Sequence, residues 1–275
     1  MDIDTLAFIG GGHMARALIG GLLARGWAAT SIRVSDPSAA QRESLAAAFP
    51  GIACFADNEA AAAGAGTWVL AVKPQHMREA ATGLAQAVRA PAPLVVSVAA
   101  GIRVADLARW LGPGVAIVRC MPNRPALLGC GCTGLYADAA VRNGHRARAE
   151  RVLAAVGSCV WVEEESQIDA VTAVSGSGPA YFFLLMELLE EAALAEGLPA
   201  ATARALAIET AYGAARMARE ADDTPAILRE QVTSRGGTTE AALAVFRDAG
   251  LRDIVLRAVG AARRRSAELA RQFGD

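Results

Sequence analysis

Through residue 163, short apolar runs alternate with stretches whose apolar positions recur at helical spacing. The runs at 6–10, 31–35, 52–55, 67–72, 94–99, 116–121, 132–136 and 158–162 predict strands, and segments such as 15–25 and 38–48 predict helices. Gly and Pro punctuate most junctions. Strands alternating with helices imply βαβ units and a largely parallel sheet. Trp68-Val69-Leu70-Ala71-Val72 is apolar at every position, as a strand covered by helices on both faces requires. The pattern changes after Glu163-Glu164-Glu165. Residues 179–196, 200–219, 225–232, 239–248 and 251–271 read as helices, with Gly197 and Gly250 where helix ends are expected. From Pro179 to Met186 the helix is apolar nearly all round, so it is buried in a core or against another subunit. The fold class is α/β: a mostly parallel sheet over 1–163, then an all-helical domain over 164–275.

Composition narrows the chemistry. The chain has 275 residues, 53% apolar and 20% charged, with a net charge of −1. That balance disfavours a nucleic-acid or anionic-membrane surface. Arg263-Arg264-Arg265 lies in a helical pattern and reads as a solvated face. The acidic start Met1-Asp2-Ile3-Asp4 is unlike a secretory signal. The longest uncharged run, 170–186, is interrupted by Gly176, Gly178 and Pro179, which argues against a membrane span. Cys54, Cys120, Cys130, Cys132 and Cys159 show no Cys-x-x-Cys spacing and read as reduced core residues of a cytoplasmic protein, with no metal site. Lys73 is the single lysine, and the histidines are His13, His76 and His145, so the helical half has neither residue type. Chemistry there rests on hydroxyls, amides, carboxylates or Arg.

Gly10-Gly11-Gly12-His13-Met14-Ala15 has the form G-x-G-x-x-A between a predicted strand and a predicted helix. The first Gly allows a tight turn, the second admits a pyrophosphate, and the small third residue lets helix and strand pack closely. The helix N-terminus offers free N–H groups to phosphate. This is a Rossmann-type dinucleotide loop; a Gly-rich turn with a purely steric role is the plainer reading. The second strand ends in Ser35 and Asp36, where Asp36 suits a ribose diol, while Ser35, Ser38, Arg33 or Arg42 suit a 2′-phosphate. NADPH and NADH both stay open. Strand ends at Ala71-Val72-Lys73-Pro74, Ala99 and Met121-Pro122-Asn123 lie where such folds bind ligands, and Asn58 joins the cofactor candidates.

Two segments in the helical half are short, hydroxyl-rich and placed at helix starts. They are Ser175-Gly176-Ser177-Gly178-Pro179-Ala180-Tyr181 and Thr233-Ser234-Arg235-Gly236-Gly237-Thr238-Thr239-Glu240. Such loops hold a carboxylate or phosphate without lysine. Ordinary helix caps with Gly turns are the alternative.

On these residues, with Ala17-Leu18-Ile19-Gly20-Gly21, Ala71-Val72-Lys73-Pro74-Gln75, Met121-Pro122-Asn123 and Asp169-Ala170-Val171-Thr172-Ala173, the chain resembles the pyrroline-5-carboxylate reductases over nearly its whole length. The resemblance implies NAD(P)H-dependent reduction of a cyclic imino acid, 1-pyrroline-5-carboxylate, to L-proline. It also implies a homo-oligomer built from interlocked dimers. Ser234 and the amides of Gly237 and Thr238 fall where the family holds the substrate carboxylate, with Ser175, Gly176, Ser177 and Gly236 beside them as substrate candidates. Thr239 matches the position that meets the ring nitrogen. His13, Arg124 and Arg235 depart from the family's usual Asn, small hydroxyl and Pro.

The residues support that chemistry in their own right. Carbonyl reduction calls for a proton donor, commonly Lys or His; a protonated imine already carries its proton. The missing lysine also disfavours a β-hydroxyacid dehydrogenase. A reductase of a related cyclic imine and a non-catalytic NAD(P)H-sensing regulator are the alternatives.

Overall fold

The computed structural model describes residues 5–89, 91–139 and 141–274. Met1-Asp2-Ile3-Asp4 lies outside them. The chain divides into two compact units, one of residues 1–177 with 262–275, the other of residues 178–261. Compactness thus separates the chain past the charged 163–165 stretch, and the C-terminal end belongs to the first unit.

Eight strands form one sheet: β1 (Leu6–Ile9), β2 (Ile32–Ser35), β3 (Ala53–Phe55), β4 (Thr67–Leu70), β5 (Leu94–Ser97), β6 (Ala116–Met121), β7 (Gly131–Ala137) and β8 (Gly157–Trp161). Their order is β3-β2-β1-β4-β5-β6-β7-β8. All neighbours are parallel except β6 and β7, which pair with Met121 opposite Gly134. Too few residues separate these two strands for the long crossover that a parallel pair needs. Alternate side chains enter two cores. Leu6 and Phe8 of β1, with Val69 and Val118, meet Leu18, Ile19 and Leu22 of α1 (His13–Ala24). Ala7 and Ile9, with Trp68 and Leu70, face α4 (Met77–Leu84) and α5 (Val104–Leu111). Both faces are therefore covered, as the wholly apolar strands predict. Burying a side chain such as Phe8, 0% exposed, contributes roughly 1.5–3 kcal/mol.

The remaining helices of the first unit are α2 (Ala39–Ala48), α3 (Asn58–Ala62), α6 (Asn143–Leu153) and α7 (Gln167–Val171). A π-helical turn, Thr172–Gly176, follows α7 and leads into α8 (Gly178–Ala195). The predicted interruption takes the form of the π-turn and a bend at Ser177. The stretch Gln167–Ala195 is nonetheless long and apolar enough to cross a membrane, by length and composition only. The π-turn absorbs the glycines, and Pro179 falls in the first turn of α8, where its missing N–H removes no helix bond.

The second unit holds α8, α9 (Ala200–Glu220), α10 (Pro225–Gln231) and α11 (Thr238–Asp248), and the start of α12 (Leu251–Gly274) as far as Ala261. Its apolar side chains are largely exposed, among them Phe182 (63%), Phe183, Leu184, Tyr212 and Phe246. The rest of α12, from Ala262, belongs to the first unit: Ser266 donates to Asp169 Oδ1 at 2.7 Å, and Phe273 and Leu269 lie against Gly101.

Of the five cysteines, Cys120 alone is buried, and Cys130 is exposed, so the expectation of core positions holds for one of them. Burial raises the Cys120 thiol well above its ordinary range and pushes that of Cys159 up to about 11.

Candidate active site

The Gly-rich turn joins β1 to α1 at the carboxyl edge of the sheet. Gly10 has φ +97°, and a Cβ there would stand 2.9 Å from the Ala71 carbonyl. The turn therefore needs glycine both for its backbone and for its contact with the end of β4. Gly12 caps α1, with open space where a Cβ would be. No side chain caps α1, so the first-turn amides of His13, Met14 and Ala15 remain for an anion. Uncapped amides beside a glycine that leaves open space fit a pyrophosphate.

The turn is held from the second strand. Gly10 N–H donates to the Ser35 carbonyl at 2.9 Å, and Gly11 N–H donates to Asp36 Oδ2 at 3.0 Å. Asp36 Oδ1 accepts the Ser38 amide at 3.0 Å. Asp36 thus braces the loop and the start of α2 with both oxygens. The Ser35 hydroxyl is buried and donates to Asn58 Oδ1 at 2.7 Å. Arg42 donates to the carbonyls of Asp36 and Pro37 at 2.7 and 2.9 Å, which places a guanidinium beside the end of β2. A cavity of about 440 Å³ lies against the turn, lined by Gly10, Pro37, Asn58, Val72, His76 and Glu79. It brings together three cofactor candidates, Gly10, Asn58 and Val72. His76 and Glu79 were not legible as its lining, because they lie on a short helical stretch whose facing only the fold sets. Lys73 is exposed, Pro74 opens a single 3-10 turn, and Ala99 is buried beyond β5.

At the end of β6, Pro122 is buried and Asn123 is bonded at both ends of its carboxamide. Its Nδ2 donates to the Ser175 carbonyl at 3.0 Å, and its Oδ1 accepts the Cys132 amide at 2.9 Å. Met121 lies under Gly176, where a Cβ would come within 2.8 Å of its Cε. The Ser175 hydroxyl donates back to the Val171 carbonyl at 3.1 Å, and Ser177 N–H closes the π-turn on the Thr172 carbonyl at 2.8 Å. Nothing in the local composition of 172–176 announces this turn. Behind it, the Arg119 side chain, 3% exposed, pairs with Glu165 at 2.9 Å, and the same Glu165 oxygen accepts the Val104 amide at 2.8 Å.

In the second unit, Ser234 to Gly237 form a tight turn. Gly237 N–H donates to the Ser234 carbonyl at 3.0 Å, and Gly236 has φ +71°. Positive φ at the third position and Arg235 at the second match a type II turn, whose second position favours Pro. Glu240 supplies a brace, accepting the Gly236 amide at 2.6 Å. The amides of Gly236 and Gly237 are therefore engaged within the loop. Those of Thr238, Thr239 and Glu240 open α11, which has no side-chain cap. Thr239 is half-buried and Arg235 exposed.

A doubly wound sheet with a Gly-rich turn at its carboxyl edge, followed by a helical domain, defines a nicotinamide-dinucleotide-dependent oxidoreductase. The chain is 50% identical to pyrroline-5-carboxylate reductase of Pseudomonas aeruginosa over 275 residues, all of both chains. It belongs to the pyrroline-5-carboxylate reductase family. The family described as pyrroline-5-carboxylate reductase dimerisation matches residues 165–269, and that described as NADP oxidoreductase, coenzyme F420-dependent, matches residues 5–101. Among solved structures, the pyrroline-5-carboxylate reductase of Coxiella burnetii is 40% identical with a TM-score of 0.94, covering 98% of this chain and 99% of its own. The Plasmodium falciparum pyrroline carboxylate reductase, solved with NADP bound, is 25% identical with a TM-score of 0.84, covering 98% of this chain and 99% of its own.

Proposed function

We infer that this chain reduces 1-pyrroline-5-carboxylate to L-proline with NADPH or NADH. The observation that carries the reading is the joining of two predicted features within one unit. The carboxyl edge of the dinucleotide fold and the Ser175–Ser177 stretch meet at the end of β6, through Asn123 and Met121. Uncapped amides of α1 take the pyrophosphate, with Asn58 and Val72 beside it. Lys73, Pro74, Ala99, Met121 and Pro122 belong to the strand ends toward the nicotinamide. When bound, the nicotinamide supplies the hydride that reduces the imine carbon. The protonated imine needs no acid from the protein, consistent with the absence of Lys and His after His145. The carboxylate is held by Ser234 and the first-turn amides of α11 beginning at Thr238, and the Thr239 hydroxyl accepts the ring N–H.

The family's dimerisation region covers 165–269. The interlocked form of the dimer is part of this reading, supported by the exposed apolar side chains of α8. Glu187, Glu190 and Glu191 on that helix suit a subunit interface with polar margins, where in hydrocarbon each carboxylate would be costly. A cytoplasmic location follows from the same reading. The test mixes purified protein, the imino acid and either reduced dinucleotide. Loss of reduced-cofactor absorbance with stoichiometric proline is expected. No turnover with either dinucleotide overturns the reading.

A further inference from the structure

The π-turn at Thr172–Gly176 shifts the helix register by one residue, so Ser177 N–H reaches back to the Thr172 carbonyl. Such turns leave backbone groups in need of other partners. Asn123 meets one of them: its Nδ2 donates to the Ser175 carbonyl at 3.0 Å. The other end of the same carboxamide is fixed, because Oδ1 accepts the Cys132 amide from β7 at 2.9 Å. Two further close contacts seat the segment on the sheet. Gly176 leaves room for Met121, and Gly134 of β7 leaves room for Val171; a Cβ at Gly134 would stand 2.5 Å from that side chain.

We propose that Asn123 is a positioning residue, which clamps the Ser175–Ser177 segment to the end of β6 and so fixes the substrate segment against the nicotinamide edge. Both polar ends of its side chain are committed to protein backbone, so its contribution to cofactor binding is indirect. The amide is the one side chain of this length that can donate to Ser175 and accept from Cys132 at once. Aspartate keeps the shape and the Cys132 bond but loses the donor and sets a charge against the Ser175 carbonyl. Alanine loses both bonds. The inference deepens the reductase reading and rests on it for its kinetic consequence, while the clamp itself is testable without turnover.

The experiment compares the wild-type chain with Asn123→Asp and Asn123→Ala by two readouts. The first is amide hydrogen exchange over 172–178 in the unliganded protein; the second is steady-state kinetics together with the dinucleotide Kd. Both variants are expected to exchange at least about tenfold faster in that segment, as loss of the half-buried bond to the Ser175 carbonyl implies. They are expected to lose about ten- to a hundredfold in kcat/KM for the imino acid, with the dinucleotide Kd within about twofold of wild type. A general loss of fold would instead move the Kd and the melting temperature with the kinetics. Should the alanine variant fail to fold, the aspartate variant, which keeps the β7 anchor and the volume, carries the comparison. Unchanged exchange over 172–178 overturns the clamp. So does a Kd raised about tenfold or more with that exchange unchanged, which would make Asn123 a cofactor ligand. If the wild-type chain does not turn over, the reductase reading fails, and the exchange data still decide the clamp.

Discussion

The Asp36 carboxylate accepts two backbone N–H groups, from Gly11 and from Ser38, each at 3.0 Å. A hydrogen bond to a charged group contributes about 1.5–3 kcal/mol. Asp36→Ala is therefore expected to weaken NADH binding by about tenfold or more, because the Gly-rich turn loses its brace. NADPH should be weakened less, since removing a negative charge beside Arg42 favours the extra phosphate; fluorescence titration with both dinucleotides measures the ratio. Equal Kd values before and after the substitution would remove Asp36 from cofactor binding. Thr239→Val is expected to lower kcat/KM by about ten- to a hundredfold, as a lost hydrogen bond of roughly 1.4–2.8 kcal/mol would, with the dinucleotide Kd unmoved. Unaltered kcat/KM would exclude the hydroxyl from the mechanism. The spacing of Asp36 after the Gly-rich loop marks it as a candidate ribose ligand, and it does lie beside that loop. Its bonds to Gly11 and Ser38 depend on how two chain segments fold back on each other, which spacing does not contain.

Elements that answer to hydrophobic periodicity were legible: the eight strands and the helices from α8 onward lie where the pattern puts them. The antiparallel β7 and the π-turn were not. The first depends on the length of the link after Met121, and the second on the packing of Met121 against Gly176, a contact between segments far apart in sequence. In α6, His145 has a buried Nδ1 without a partner among the described residues. Burial, and then the charges of Arg148 and Arg142, lower its pKa below the ordinary 6.5. The unfolded chain thus takes up this proton more readily than the folded one. Stability is full above about pH 6.5 and falls as the pH drops through that value toward the folded pKa. His145→Gln, which cannot titrate, is expected to narrow the fall in melting temperature between pH 7.5 and about pH 5.5. An identical fall in both proteins would show that His145 carries none of it.

At the scale of the whole molecule, the second unit exposes more apolar side chain than a lone soluble domain sustains. Phe182 is 63% exposed, Phe183 62% and Leu184 54%, on a helix apolar nearly all round. That pattern was legible as burial, and its partner is supplied by the family's dimerisation region. Phe182→Glu is expected to shift the protein toward monomer in sedimentation velocity, because an unpaired carboxylate is placed in a desolvated interface. An unchanged sedimentation coefficient at low protein concentration would place the interface elsewhere. The proposed reaction is delivery of hydride to the imine carbon of a five-membered ring. Isotope transfer tests this most directly. With reduced dinucleotide deuterated at the transferred C4 position, the account predicts L-proline bearing one deuterium at C5, the former imine carbon. Proline without that deuterium, or turnover confined to the six-membered analogue, would contradict it.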